Sequence, residues 1–153
     1  MPNQMSSATI AAFAALATLV VNAVAAAFAG WRWWRVEPHD AVWPLLRGGQ
    51  IVAGLWVLVA GVLALSGFEP TDRLYWLYAV LPVAVGVIAE QLRIASAEQV
   101  LEQRGLDDAH EVGALPESGQ RSVVLAIVRR EIGVMALAAL VVAFLALRGA
   151  LIS

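Results

Sequence analysis

Long apolar segments alternate with shorter polar ones along the chain. An α-helix needs about 20 apolar residues to span the roughly 30 Å hydrocarbon core of a bilayer. Four segments have this character, namely residues 8–30, 44–67, 74–92 and 129–148. The last two have shorter apolar cores, which helix tilt or local bilayer thinning accommodates. Because short loops join successive segments, the pattern predicts an all-α fold. We expect one domain, a four-helix transmembrane bundle with up–down–up–down topology.

The polar region between the third and fourth apolar cores, residues 90–131, has helical character at both ends. Residues 90–104 contain no Gly or Pro, and Gly105 follows them at a position typical of a helix C-terminus. Pro116 and Glu117 form a helix-start signal before residues 121–131. The third and fourth helices are therefore predicted to extend into the cytoplasm as a helical hairpin with an acidic loop at residues 106–115.

The N-terminal segment differs from a secretory signal peptide. Residues 1–10 contain no Lys or Arg, so they lack a positively charged n-region. The apolar run then continues to about Gly30, which is long enough to span a bilayer. This segment is therefore predicted to be a true first transmembrane helix.

Arginine placement predicts the orientation of the chain. Positive residues concentrate on the cytoplasmic side of membrane proteins. Eight of the ten basic residues lie in the two hairpin regions, at Arg32, Arg35, Arg47, Arg93, Arg104, Arg121, Arg129 and Arg130. Only Arg73 and Arg148 lie at the opposite ends of the helices. We therefore expect a multi-pass protein of the cell (inner) membrane with both termini extracytoplasmic.

Composition supports a membrane location and excludes several classes of function. Hydrophobic residues make up 61% of the chain and charged residues 14%, whereas soluble domains are about 45–50% apolar and 25% charged. The net charge of −2 and the lack of a basic tail argue against a nucleic-acid partner. The absence of cysteine excludes disulfides and thiolate metal sites. Arg is used in place of Lys throughout, which is typical of a GC-rich bacterial source.

Glu90 and Glu131 define a predicted charged layer at one depth. Glu90 directly follows the third apolar core and Glu131 directly precedes the fourth, and both lie on otherwise apolar helical stripes. Buried carboxylates need partners. The candidates at similar depth are Arg47, Arg93, Arg129 and Arg130. The layer is predicted to be a structural salt-bridge belt, with a proton or cation site as the alternative.

Proline and glycine suggest two further features of the helices. Pro82, followed by Gly86, removes a backbone donor from the third helix and predicts a kink, which is either ordinary for a spanning helix or part of a transport path. Gly54 and Gly61 in the second helix form a small-residue packing seam. The seam either packs the second helix against the first or joins subunits.

The two histidines are predicted to be solvated loop residues. His39 and His110 each precede a carboxylate but lie outside any rigid metal-binding spacing. No P-loop, dinucleotide-binding motif or nucleophile–base pair is present. We therefore expect no cofactor and no bound metal.

These observations favour a small non-enzymatic membrane subunit that acts as an oligomer or as an accessory or scaffold protein for a larger membrane protein. The lipid bilayer is its immediate partner. A small ion channel or proton-coupled transporter that uses Glu90 and Glu131 is the alternative, and an intramembrane enzyme ranks third.

Overall fold

The protein is helical throughout the described part of the chain. The computed structural model describes the backbone of residues 2–153 and the side chains of residues 7–153. The helices are α1 (Pro2–Arg35), α2 (Val42–Leu65), α3 (Leu74–Gln103), α4 (Ala109–Ala114) and α5 (Glu117–Leu151). Residues 2–153 contain no β-strand, so the prediction of an all-α protein is confirmed.

Four of the helices, α1, α2, α3 and α5, are long and apolar enough to cross a membrane. Many of their large apolar side chains face outwards and remain exposed, including Phe13, Leu58, Leu65 and Phe144. Such surfaces are unfavourable in water but suit contact with lipid. The prediction of four apolar spanning helices is confirmed at this level, and it indicates a multi-pass membrane protein.

The four long helices pack unevenly around the bundle. Helix α5 packs extensively against both α1 and α3, and α1 also packs against α2. Helices α2 and α3 make the least extensive contact of the four neighbouring pairs. The bundle therefore has one open side, between α2 and α3.

The helix boundaries extend the predicted segments. Helix α1 continues through the Trp-Arg-rich stretch to Arg35, and α3 runs without interruption past the apolar core to Gln103. Gly105 has a positive φ of 66° and ends α3, as its position in the sequence predicted. The acidic segment 106–115, which was predicted to be a loop, contains the short helix α4. The Asp108 carboxylate caps it by accepting a hydrogen bond of 3.0 Å from the Glu111 backbone N–H.

The core is made largely of small side chains. Ala11, Ala15, Ala25 and Ala29 of α1 are fully buried. Lipid tails are as apolar as side chains, so helices in a bilayer associate mainly through close packing, which small residues permit. The largest buried side chain is Trp56, whose Nε1–H donates a hydrogen bond of 3.3 Å to the Tyr75 hydroxyl. These contacts hold α2 and α3 together at the end of the bundle that contains Tyr75.

Asn22 fixes the contact between α1 and α2. Its buried side-chain amide donates hydrogen bonds of 3.0 Å to the Thr18 carbonyl and 3.1 Å to the Gly49 carbonyl. A Cβ atom at Gly49 would lie 2.6 Å from the Asn22 Oδ1 atom, which is too close. The absence of a side chain at Gly49 therefore lets a buried polar group satisfy its hydrogen bonds.

Gly49→Ala should lower the free energy of unfolding by about 1–3 kcal/mol, because the added methyl displaces Asn22 from a tightly packed position. Gly54→Ala is the matched control on the same helix, since a Cβ there would meet no atom within 4 Å. Thermal unfolding of both variants in detergent measures the difference. Equal melting temperatures for the two variants would contradict the Asn22–Gly49 contact.

Candidate functional site

The structure brings Glu90 and Glu131 into one ion-pair network. The Arg47 Nη1 atom lies 2.6 Å from Glu90 Oε1, and the Arg93 Nε atom lies 3.0 Å from Glu90 Oε2. The Arg93 Nη1 atom also lies 3.4 Å from Glu131 Oε1. Arg93 therefore bridges the two carboxylates, and the network, which we call the charge layer, connects α2, α3 and α5.

Helical spacing explains how the charge layer forms. Glu90 and Arg93 are three residues apart on α3 and thus share a face. On α2, Arg47 and Gln50 have the same spacing, and Gln50 Nε2 donates a hydrogen bond of 3.0 Å to Glu90 Oε1. Gln50 was not predicted as a site residue, although its spacing from Arg47 was visible in the sequence.

The charge layer lies between the apolar interior and the polar end of the bundle. Side-chain exposure rises from 15% at Glu131 to 25% at Glu90, 27% at Arg93 and 49% at Arg47. Removing charges from water is costly unless each finds a partner. Here the most buried carboxylate is paired with Arg93, and the most exposed member is Arg47, whose long side chain reaches towards solvent or headgroups.

Arg129 and Arg130 lie outside the charge layer. The Arg129 guanidinium stacks on the Trp33 ring, 5.4 Å from its centroid. The Arg130 Nη1 atom donates a hydrogen bond of 3.4 Å to Gln99 Oε1. Because successive helical residues point in different directions, positions adjacent to Glu131 share its depth but not its face. Depth alone had suggested both arginines as partners.

A cleft of about 290 Å³ opens between α2 and α3 and ends at the charge layer. Gly54 lines it from α2, while Pro82 and Gly86 line it from α3. Glu90 and Gln50 contribute its polar end. The α3 helix is continuous through Pro82. Pro82 and Gly86, the two residues of the predicted kink, both lie in the wall of the cleft.

The two glycines of the predicted seam have open space beside them, Gly54 in the cleft between α2 and α3 and Gly61 on the exposed face of α2. A Cβ atom at Gly54 or Gly61 would meet no heavy atom within 4 Å. Gly61 is exposed, whereas the close approach of α2 to α1 occurs at Gly49. Neither Gly54 nor Gly61 is therefore required for packing within one chain.

The histidines lie apart from each other and from the charge layer. His39 Nδ1 accepts a hydrogen bond of 3.1 Å from the Ala41 backbone N–H, and its ring meets the edge of Phe28. His110 is an exposed residue of α4. Among residues 7–153, no three His, Asp or Glu side chains form a group that could hold a metal ion.

The interior of the bundle offers few polar groups. Among the described side chains, the buried polar ones are Thr18 and Asn22, and each donates hydrogen bonds to backbone carbonyls. No family model, curated protein or solved structure matches the chain. The charge layer and the adjoining cleft are therefore the features from which a function can be argued.

Substituting the arginines one at a time should reveal which of them hold the charge layer together. Arg93→Gln should destabilise the protein most, by about 1–3 kcal/mol, because it removes charged hydrogen bonds and leaves Glu131 unpaired. Arg47→Gln should have a smaller effect, since Glu90 keeps Arg93 and Gln50 as partners.

Arg129→Gln and Arg130→Gln are the matched controls and should change the melting temperature little. The double variant Arg93→Gln/Glu131→Gln should recover part of the stability lost in Arg93→Gln. Thermal unfolding in detergent ranks the melting temperatures of the five variants against that of the wild type. A larger loss at Arg129 or Arg130 than at Arg93 would contradict the described network.

Proposed function

We propose that this chain is a small non-enzymatic integral membrane protein that acts as an oligomeric or accessory subunit. The observation that carries the proposal is the pairing of Glu90 and Glu131 with Arg47 and Arg93 inside one chain. A carboxylate that carries ions has to exchange its partners, whereas these carboxylates are engaged by arginine. The charge layer is best explained as a belt that fixes the register of α2, α3 and α5.

The proposed arrangement in the membrane is an up–down–up–down bundle with both termini outside a bacterial inner membrane. The order of contacts supports antiparallel packing of α1 and α2. Thr18 bonds to Val52 and Asn22 bonds to Gly49, so a later residue of α1 meets an earlier residue of α2. Likewise, Arg93 contacts Glu131 and Arg104 contacts Ser122. Arginine placement supports a cytoplasmic location for the charge layer and for both hairpin loops.

Beyond the charge layer, α3 and α5 are proposed to form a cytoplasmic hairpin that is available to a partner. Hydrogen bonds between Arg104 and Ser122 and between Arg130 and Gln99 link the two helices there. Acidic side chains dominate around its tip, at Glu98, Glu102, Asp107, Asp108, Glu111 and Glu117. A preformed polar projection of this kind suits an accessory or scaffold role.

Association within the membrane is proposed to use the exposed face of α2 around Gly61. Leu58 and Leu65 lie on the same face and are exposed in the single chain. A glycine between larger apolar side chains permits a second helix to approach closely. This face suits contact with another copy of the chain or with a helix of a larger membrane protein.

Gly61→Leu should reduce the mass of the detergent-solubilised complex towards the 16.3 kDa of one chain, without lowering the melting temperature. Gly30→Leu in α1 is the matched control, because Gly30 also has open space but lies on another helix. Light scattering coupled to size-exclusion chromatography measures the mass. A monomeric wild type, or a Gly61→Leu protein of unchanged mass, would contradict association through this face.

A small channel or proton-coupled transporter is the second candidate function. The observation that favours it is that Glu90 lines the polar end of the cleft between α2 and α3. In that function Glu90 and Glu131 would exchange protons or cations during each cycle. The two candidate functions differ in what they require of the carboxylates. A structural belt needs both carboxylates ionised and paired at all times, whereas a channel or transporter needs them to release their partners.

A further inference from the structure

We propose that the cleft between α2 and α3 binds an anionic phospholipid, with one acyl chain in the cleft and the phosphate on Arg47. This inference is independent of the proposed association through Gly61. It rests on the apolar walls of the cleft, on its position at the open side of the bundle, and on Arg47, which lies just beyond the lining and pairs with Glu90 at the polar end.

The walls of the cleft suit a flexible hydrocarbon chain. They are formed mainly by apolar and glycine residues, with Gly54 on one side and Gly86 facing it. A Cβ at either glycine would meet no atom within 4 Å, so these positions leave the space open. The volume of about 290 Å³ lies just below the roughly 300–1,000 Å³ typical of ligand sites.

The size and position of the cleft favour a lipid over a protein helix. A helix with its side chains is about 10–12 Å wide, so a single turn of about 5.4 Å would occupy on the order of 400 Å³, more than the cleft's volume of about 290 Å³. An acyl chain is much thinner and can enter sideways from the bilayer where α2 and α3 pack least. A second copy of the chain is therefore expected to pack beside the cleft, at Gly61, and not inside it.

The polar end favours an anionic headgroup. Glu90 already accepts three hydrogen bonds, from Arg47, Gln50 and Arg93, so it has little capacity for a cationic group. Arg47 makes its hydrogen bonds through Nη1. Among the described residues, its Nε and Nη2 donors have no partner, and the side chain is half exposed. A guanidinium with free donors binds phosphate strongly through paired hydrogen bonds.

The test is lipid retention by the purified full-length protein, measured by native mass spectrometry. After delipidation, palmitoyl-oleoyl phosphatidylglycerol and the diacylglycerol with the same chains, which lacks the phosphate, are added separately. The wild type should retain phosphatidylglycerol about ten- to hundredfold more tightly, the range expected from one charge-assisted hydrogen-bonded contact. Added inorganic phosphate should not displace the lipid, because it lacks the acyl chain that fills the cleft.

Gly54→Leu should abolish the retention of both lipids by filling the cleft, while Gly61→Leu, outside the cleft on the same helix, should leave it unchanged. Arg47→Gln/Glu90→Gln removes one charge of each sign, so it strands no charge. This double variant should bind both lipids equally.

Several outcomes would overturn the proposal. These are equal retention of the two lipids by the wild type, retention by Gly54→Leu that matches the wild type, and displacement of the lipid by phosphate alone. A change of oligomeric mass in Gly54→Leu with lipid retention intact would assign the cleft to a protein partner instead. Because Gly61→Leu tests association separately, failure of one proposal leaves the other standing.

Discussion

The strongest constraint on this structure comes from the carboxylates of Glu90 and Glu131. Both lie at the boundary between the apolar interior and the polar end of the bundle. Glu131 is the more buried, and its described partner is Arg93, which also holds Glu90. Arg47 then connects α2 to the same network. Sliding one helix by a single turn, about 5.4 Å, would separate these charges at a depth where unpaired charges are costly. In the proposed structural role, the charge layer sets the relative heights of three helices.

The remaining contacts follow from close packing of small residues. Buried alanines let α1 approach its neighbours, and Gly49 lets α2 approach Asn22. Helices α2 and α3 share fewer such contacts. They are joined at one end by Trp56 and Tyr75, and near the other by Arg47 and Glu90. Between these two links α2 and α3 are separated by the cleft. The open side of the bundle therefore depends on the positions of the small and charged residues along the two helices.

Much of this arrangement could be predicted from sequence because bilayer thickness and helical period are strong constraints. The depth of Glu90 and Glu131 follows from the ends of the apolar cores, and the three-residue step to Arg93 follows from the period. Depth could not exclude Arg129 and Arg130, since the choice between them and Arg93 depends on how α5 is rotated. The cleft could not be predicted, because it depends on the separation of α2 and α3. Helix α4 was missed because its six residues are too few for a periodic signal.

A structural role of the charge layer can be tested with the variants Glu90→Gln and Glu131→Gln. Melting temperature in detergent and proton or cation flux in liposomes should be measured on the same preparations of both variants and the wild type. If the charge layer is structural, both variants should have lower melting temperatures, and the wild-type flux should be no greater than that of protein-free liposomes. Unchanged melting temperatures, together with a wild-type flux that both substitutions abolish, would contradict a structural role and establish the glutamates as carriers.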